Sequence, residues 1–135
     1  MAHDIARLML VQLARAIAPL GDACVLVGGA AHQLHASMAP NVAADLVPLR
    51  TNDADVALSA VKPIGAHDLD GALAKLGFEA KYSGEDRPPA TRFEFRADPK
   101  RLHYVEFVTR RSGGGRVRTV KIAGVVAVKL PYVDV

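Results

Sequence analysis

Apolar positions at the start of the chain recur at helical spacing. Ile5, Leu8, Met9, Leu13, Ala16, Ile17 and Leu20 form one stripe, which predicts an amphipathic helix over Asp4–Leu20 with Asp4 as its N-cap. Gly21-Asp22 ends that run. The short apolar segment Cys24–Val27 predicts a buried strand, broken by Gly28-Gly29, and Ala30–Met38 predicts a short second helix. Pro40, Asn41 and Pro48 mark an irregular loop, after which Asp53–Ser59 reads as another strand. Lys62-Pro63 to Gly65 predicts a turn. Leu69, Leu73 and Leu76 share one face of a helix over His67–Leu76, with Gly77 as its cap.

Beyond that helix the period changes. Phe78–Tyr82 predicts a brief strand and Ser83–Pro89 a polar, proline-rich loop. In Thr91–Arg96, Phe93 and Phe95 alternate with Arg92, Glu94 and Arg96, the period of two expected of a strand. Leu102–Thr109 is its partner across an Asp98-Pro99-Lys100 turn. Gly113-Gly114-Gly115 predicts a loop and Arg116–Lys121 a strand. The apolar tail from Gly124 to Val135 predicts the start of a helix interrupted by Pro131. This order predicts an α/β (α+β) domain, a mixed sheet flanked by helices.

Composition narrows the class. The chain has 135 residues, half of them hydrophobic, which suits one domain with a real core and argues against disorder. No apolar run reaches the length of about 20 residues needed to span a bilayer. The first residues show no basic segment followed by an apolar stretch and a cleavage site, so secretion is not expected, and Cys24 is the single cysteine. A cytoplasmic protein with no membrane partner is therefore expected, with Cys24 a small buried hydrophobe. Net charge is only +3, but basic residues crowd the stretch from Arg87 to Lys121, where Glu94, Asp98 and Glu106 are the only acids. Such a patch attracts a polyanion, nucleotide or RNA, unless it is merely a solvated face.

Candidate chemistry centres on Arg50-Thr51-Asn52-Asp53-Ala54-Asp55. Two aspartates two residues apart on a strand present both carboxylates on one face. Like charges so placed repel unless a cation compensates them, and magnesium, a hard ion that takes carboxylate and phosphate oxygens, is the natural partner. The alternative is a pair of solvated acids at a loop–strand junction. Upstream, Gly28 and Gly29 open a helix, where backbone amides without side chains approach a phosphate closely, or simply make a tight turn. Downstream, Glu106 stands in an otherwise apolar strand, costly to bury unless paired or metal-bound. Glu94 is the fallback third acid, although Arg92 and Arg96 beside it suggest a surface ion pair.

These features together resemble the DNA-polymerase-β-type nucleotidyltransferase superfamily: a strand ending in Gly28-Gly29, Thr51-Asn52-Asp53-Ala54-Asp55, and a third acid on a later strand. Val27-Gly28-Gly29-Ala30, the Asp-x-Asp segment and Ala72-Leu73 through Gly77-Phe78 most resemble its AbiEii-type abortive-infection toxin branch. Ala127-Val128-Lys129-Leu130 is similar to the start of a later helix whose lysine faces the nucleotide. The chain departs from the pattern at Ala30, where many relatives have a hydroxyl residue, and at Glu106, where the usual acid is Asp.

The resemblance implies a nucleotidyltransferase-like fold and a two-ion magnesium site held by Asp53, Asp55 and Glu106. It further implies a triphosphate seated on Gly28 and Gly29, with Arg50 and Lys129 as phosphate contacts. The reaction implied is nucleotide transfer from a nucleoside triphosphate to an unidentified acceptor, RNA or protein. Residues 1–135 would be a single core domain, with the relatives' C-terminal helical region absent or truncated, and a homodimer partner or cognate antitoxin as companion. Two other readings compete: an inactive nucleotidyltransferase-like domain that binds nucleotide or RNA, and a small α/β interaction module. His32 and His35 share a helical face near this site, but no third ligand at suitable spacing supports zinc there.

Overall fold

The computed structural model describes residues 2–32, 52–59, 67–111 and 118–130. The first helix, α1, runs from Ala2 to Ile17. It begins earlier than the sequence suggests, so Asp4 lies within its first turn rather than capping it. The negative charge still complements the partial positive charge of the helix start. Pro19 removes a backbone donor, and the chain passes into a tight 3-10 segment, Ala18–Ala23, which bends at Gly21 with φ 55°. Strand β1, Cys24–Val27, matches its predicted bounds. Residues 28–32 are helical, as far as the second predicted helix is described.

Strand β2 spans Asp53–Leu58, and helix α2 spans Leu69–Lys75. Asp68 caps α2 by accepting a hydrogen bond from the Gly71 amide. Gly77 follows with φ 100°, a left-handed conformation that glycine adopts without a Cβ penalty. Four strands come next: β3 Phe78–Ser83, β4 Ala90–Phe95, β5 Tyr104–Arg110 and β6 Thr119–Ile122.

The predicted C-terminal helix is not formed over its described part. Val125–Leu130 is a seventh strand, β7. Ala123 and Gly124 both have positive φ, 52° and 87°, as a two-residue hairpin turn requires, and they fold β7 back along β6. The β-branched run Val125-Val126-Ala127-Val128 then favours extended backbone.

All seven strands of the described residues join one mixed sheet, five along the path β1-β2-β5-β4-β3, with β7 branching from β5 and β6 pairing with β7. The central strand, β5, runs parallel to β2 and pairs with it along the whole of β2. On its other side it pairs with β4 near its start and with β7 near its end. One sheet face supplies Val56, Leu58, Phe93, Phe95, Val105 and Phe107 to the core, which Met9, Leu13 and Ala16 of α1 and Leu69 and Leu73 of α2 complete. Phe93 and Phe107 meet edge-on with centroids 5.6 Å apart. Each such buried side chain contributes about 1.5–3 kcal/mol. With this face committed to the core, period-two alternation sends Asp53, Asp55, Tyr104 and Glu106 to the other.

Candidate active site

Burial along β2 alternates as the carboxylate pair demands. Ala54 and Val56 are buried on the core face, while Asp53 and Asp55 are partly exposed on the opposite one. Parallel pairing with β5 sets Asp53 beside Tyr104 and Asp55 beside Glu106. Register partners share a face, so Glu106 stands next to Asp55 on an adjacent strand, where a third acid was sought. Antiparallel pairing sets Val27 of β1 against Asp55 from the other side.

Gly28 therefore turns the chain directly over Asp55. Its φ is +74°, and a Cβ at that position would lie 2.9 Å from Asp55 Oδ2. Glycine is required there twice over, by conformation and by space.

The electrostatics fit a cluster of mutually repelling acids. Burial, and then the charge of Asp53, raises the pKa of Asp55. Glu106 is raised by burial and by Asp55 and Asp53, against an opposing effect of Arg92. Tyr104, between Asp53 and Glu94 in register, is raised by burial and by the neighbouring carboxylates. These oxygens are hard donors, the kind magnesium takes. Among the described residues no three His, Cys, Asp or Glu side chains are drawn together tightly enough to hold a metal ion by themselves. Magnesium does not need such a cage, because it keeps waters and takes substrate phosphates alongside one or two carboxylates.

The remaining candidates divide. Glu94 faces the same side as Tyr104 but is buried, not on the surface, and Arg92 bonds its Oε2 at 2.9 Å. Lys129 is not on a helix; it lies on β7 opposite Thr109, whose face is the core face, turned away from Asp55 and Glu106. Gly29 follows Gly28 into the helical residues, and His32 is exposed there. Arg50 and His35 lie outside the described residues. Cys24 is half-buried, its Sγ 3.7 Å from the Ile17 carbonyl oxygen, and burial raises its pKa.

Sequence reasoning overlooked Tyr104 as a neighbour of the acids and treated Arg92 as surface charge. Alternation within Tyr104-Val105-Glu106 was the available signal for Tyr104. The position of Arg92 opposite Glu106 depends on pairing that no local pattern reveals.

The mixed sheet thus brings an Asp-x-Asp strand, a neighbouring third acid and a glycine turn together on one face. Residues 8–135 match the model of the nucleotidyltransferase family, and the chain belongs to that family. No curated protein and no solved structure gives a match. Among the described residues, no helix is long and apolar enough to cross a membrane.

Proposed function

We propose that this protein is a magnesium-dependent nucleotidyltransferase. The observation that carries the reading is the register Val27–Asp55–Glu106, with Asp53 on the same face and Gly28 pressed against Asp55. In this reading Asp53 and Asp55 would hold two magnesium ions, and Glu106 would help to hold the one that activates the attacking hydroxyl. Bound magnesium would neutralise the triphosphate and lower the pKa of the attacking hydroxyl. Gly28 and Gly29 leave the backbone open to the triphosphate. The acceptor oxygen forms a bond to the α-phosphorus as the bond to the bridging oxygen breaks, pyrophosphate leaves, and the hydroxyl proton passes to solvent.

The resemblance to AbiEii-type toxins makes RNA a candidate acceptor, and a cognate antitoxin or a second copy of the chain a candidate partner. The test is magnesium-dependent transfer of label from an α-labelled nucleoside triphosphate into an RNA or protein pool, with chelator and Asp53→Asn as controls. A binding-only domain is the second reading, favoured by Glu106 and Ala30 standing where the resembled family usually has Asp and a hydroxyl residue. It predicts a triphosphate-dependent rise in melting temperature without transfer.

A further inference from the structure

The sheet lays the site out in one direction. Gly28 closes the β1 side of Asp55, and Glu106 stands on the β5 side. Beyond Glu106 comes its register partner Arg92 on β4, and beyond Arg92 its own partner Lys81 on β3. Both cations are thus placed on the carboxylate face, about 5 and 10 Å past Glu106 at ordinary strand spacing.

The β3–β4 pairing is electrostatically unusual. Lys81 lies opposite Arg92, and Glu79 opposite Glu94, although like charges directly across a strand pair are destabilising. Each cation is instead held along its own strand: Lys81 Nζ is 2.9 Å from Glu79 and Arg92 is 2.9 Å from Glu94. Arg92 is fixed further by the Tyr104 ring, whose centroid is 5.1 Å from the guanidinium carbon. Its side chain is nonetheless half exposed, and the bond to Glu94 uses one of its five N–H donors. Arg92, Lys81 and Glu106 line one cleft of about 340 Å³, with Ser83 at its rim.

We propose that this cleft is the acceptor subsite, in which Arg92 and Lys81 hold a phosphate of the molecule whose hydroxyl is presented beside Glu106. The inference rests on the transferase reading given above. A triphosphate seated at Gly28 lies on the far side of Asp55, so the basic row is left for a second anion. Two aligned cations, one a planar fork, match a phosphate group carried by a nucleic-acid strand or by a small phosphorylated acceptor.

The test measures binding of a fluorescent single-stranded RNA by anisotropy at several salt concentrations, with adenosine 5′-monophosphate as competitor. Magnesium-ATP binding is followed separately by thermal shift. In the Lys81→Gln/Arg92→Gln variant, RNA affinity should fall at least about tenfold. The slope of log affinity against log salt should shrink by about 0.7, the value for one single-strand phosphate contact. The ATP-induced shift should stay unchanged. Ser83→Glu, which leaves both ion pairs intact, should weaken RNA in the same direction and guards against a folding artefact.

Competition by the mononucleotide, lost equally in the variants, would support the subsite and assign it to a small phosphorylated acceptor. Unaltered RNA affinity and slope in both variants would overturn the proposal, as would ATP binding without binding of either phosphate probe. RNA binding lost in the variants, in a protein that never binds magnesium-ATP, would support the phosphate contact and sink the transferase reading instead.

Discussion

Replacing Gly28 with alanine changes one methyl group and tests conformation and site together. At φ +74° a side chain costs about 1–2 kcal/mol. The added Cβ would stand 2.9 Å from Asp55 Oδ2, against an ordinary van der Waals separation of about 3.5 Å. The carboxylate is the mobile partner, so it must swing aside by several tenths of an ångström. Two effects should follow. Stability falls by about 1–2 kcal/mol, or about 3–8 °C in melting temperature for a domain of this size. Magnesium-dependent transfer falls by about 10- to 100-fold, because small misplacements of a reacting constellation are expensive. A stability cycle isolates the contact: in an Asp55→Ala background the collision is gone and only the backbone cost remains. The two substitutions should therefore couple by about 0.5 kcal/mol or more. Additive losses, or full activity in Gly28→Ala, would refute the placement of this turn against a functional carboxylate.

Asp53→Asn should lower magnesium-dependent transfer by several orders of magnitude and leave the melting temperature equal or higher, since the charge of Asp53 contributes to raising Asp55. Unchanged transfer would rule out Asp53 as a metal ligand. Asp55 and Glu106 both have raised pKa values, so without metal they favour the fold at low pH and that contribution is lost as pH rises through their folded values. Magnesium should consequently raise the melting temperature more at about pH 7 than at about pH 5; an equal shift at both would tell against binding by these groups. Asp98 works in the opposite sense. Its bonds to the His103 side chain and to the backbone amides of His103, Lys100 and Leu102 lower its pKa from 3.8 to about 2. Its stabilisation is full above the unfolded value and is lost as pH falls through the folded one. The Asp98 carboxylate is buried beneath its turn, and the shift corresponds to about 2 kcal/mol. Acid titration of stability in the wild type and in Asp98→Asn checks this, and identical curves would exclude the role.

Much of the fold was legible locally. Cys24–Val27 and the Asp53 strand were bounded by glycine and polar breaks, and Leu69 and Leu73 marked a helix stripe that the core then used. The shared face of Asp53 and Asp55 followed from period two alone. The C-terminal segment was misread because an apolar run of that length suits either a helix or a strand. Its choice was made by the Ala123-Gly124 turn and by partners on β5 and β6. That choice also carried Lys129 to the core face. Glu106 stood out as a lone acid in an apolar strand, but its place beside Asp55 came from parallel pairing between segments about 50 residues apart. Such register is fixed by the whole sheet, in which a one-residue slip would turn Glu106 into the core and Val105 to the site. The sequence by itself determined which residues were able to form a carboxylate centre; only the tertiary structure decided which of them stand together, because strand neighbours are selected by shared burial and not by distance along the chain.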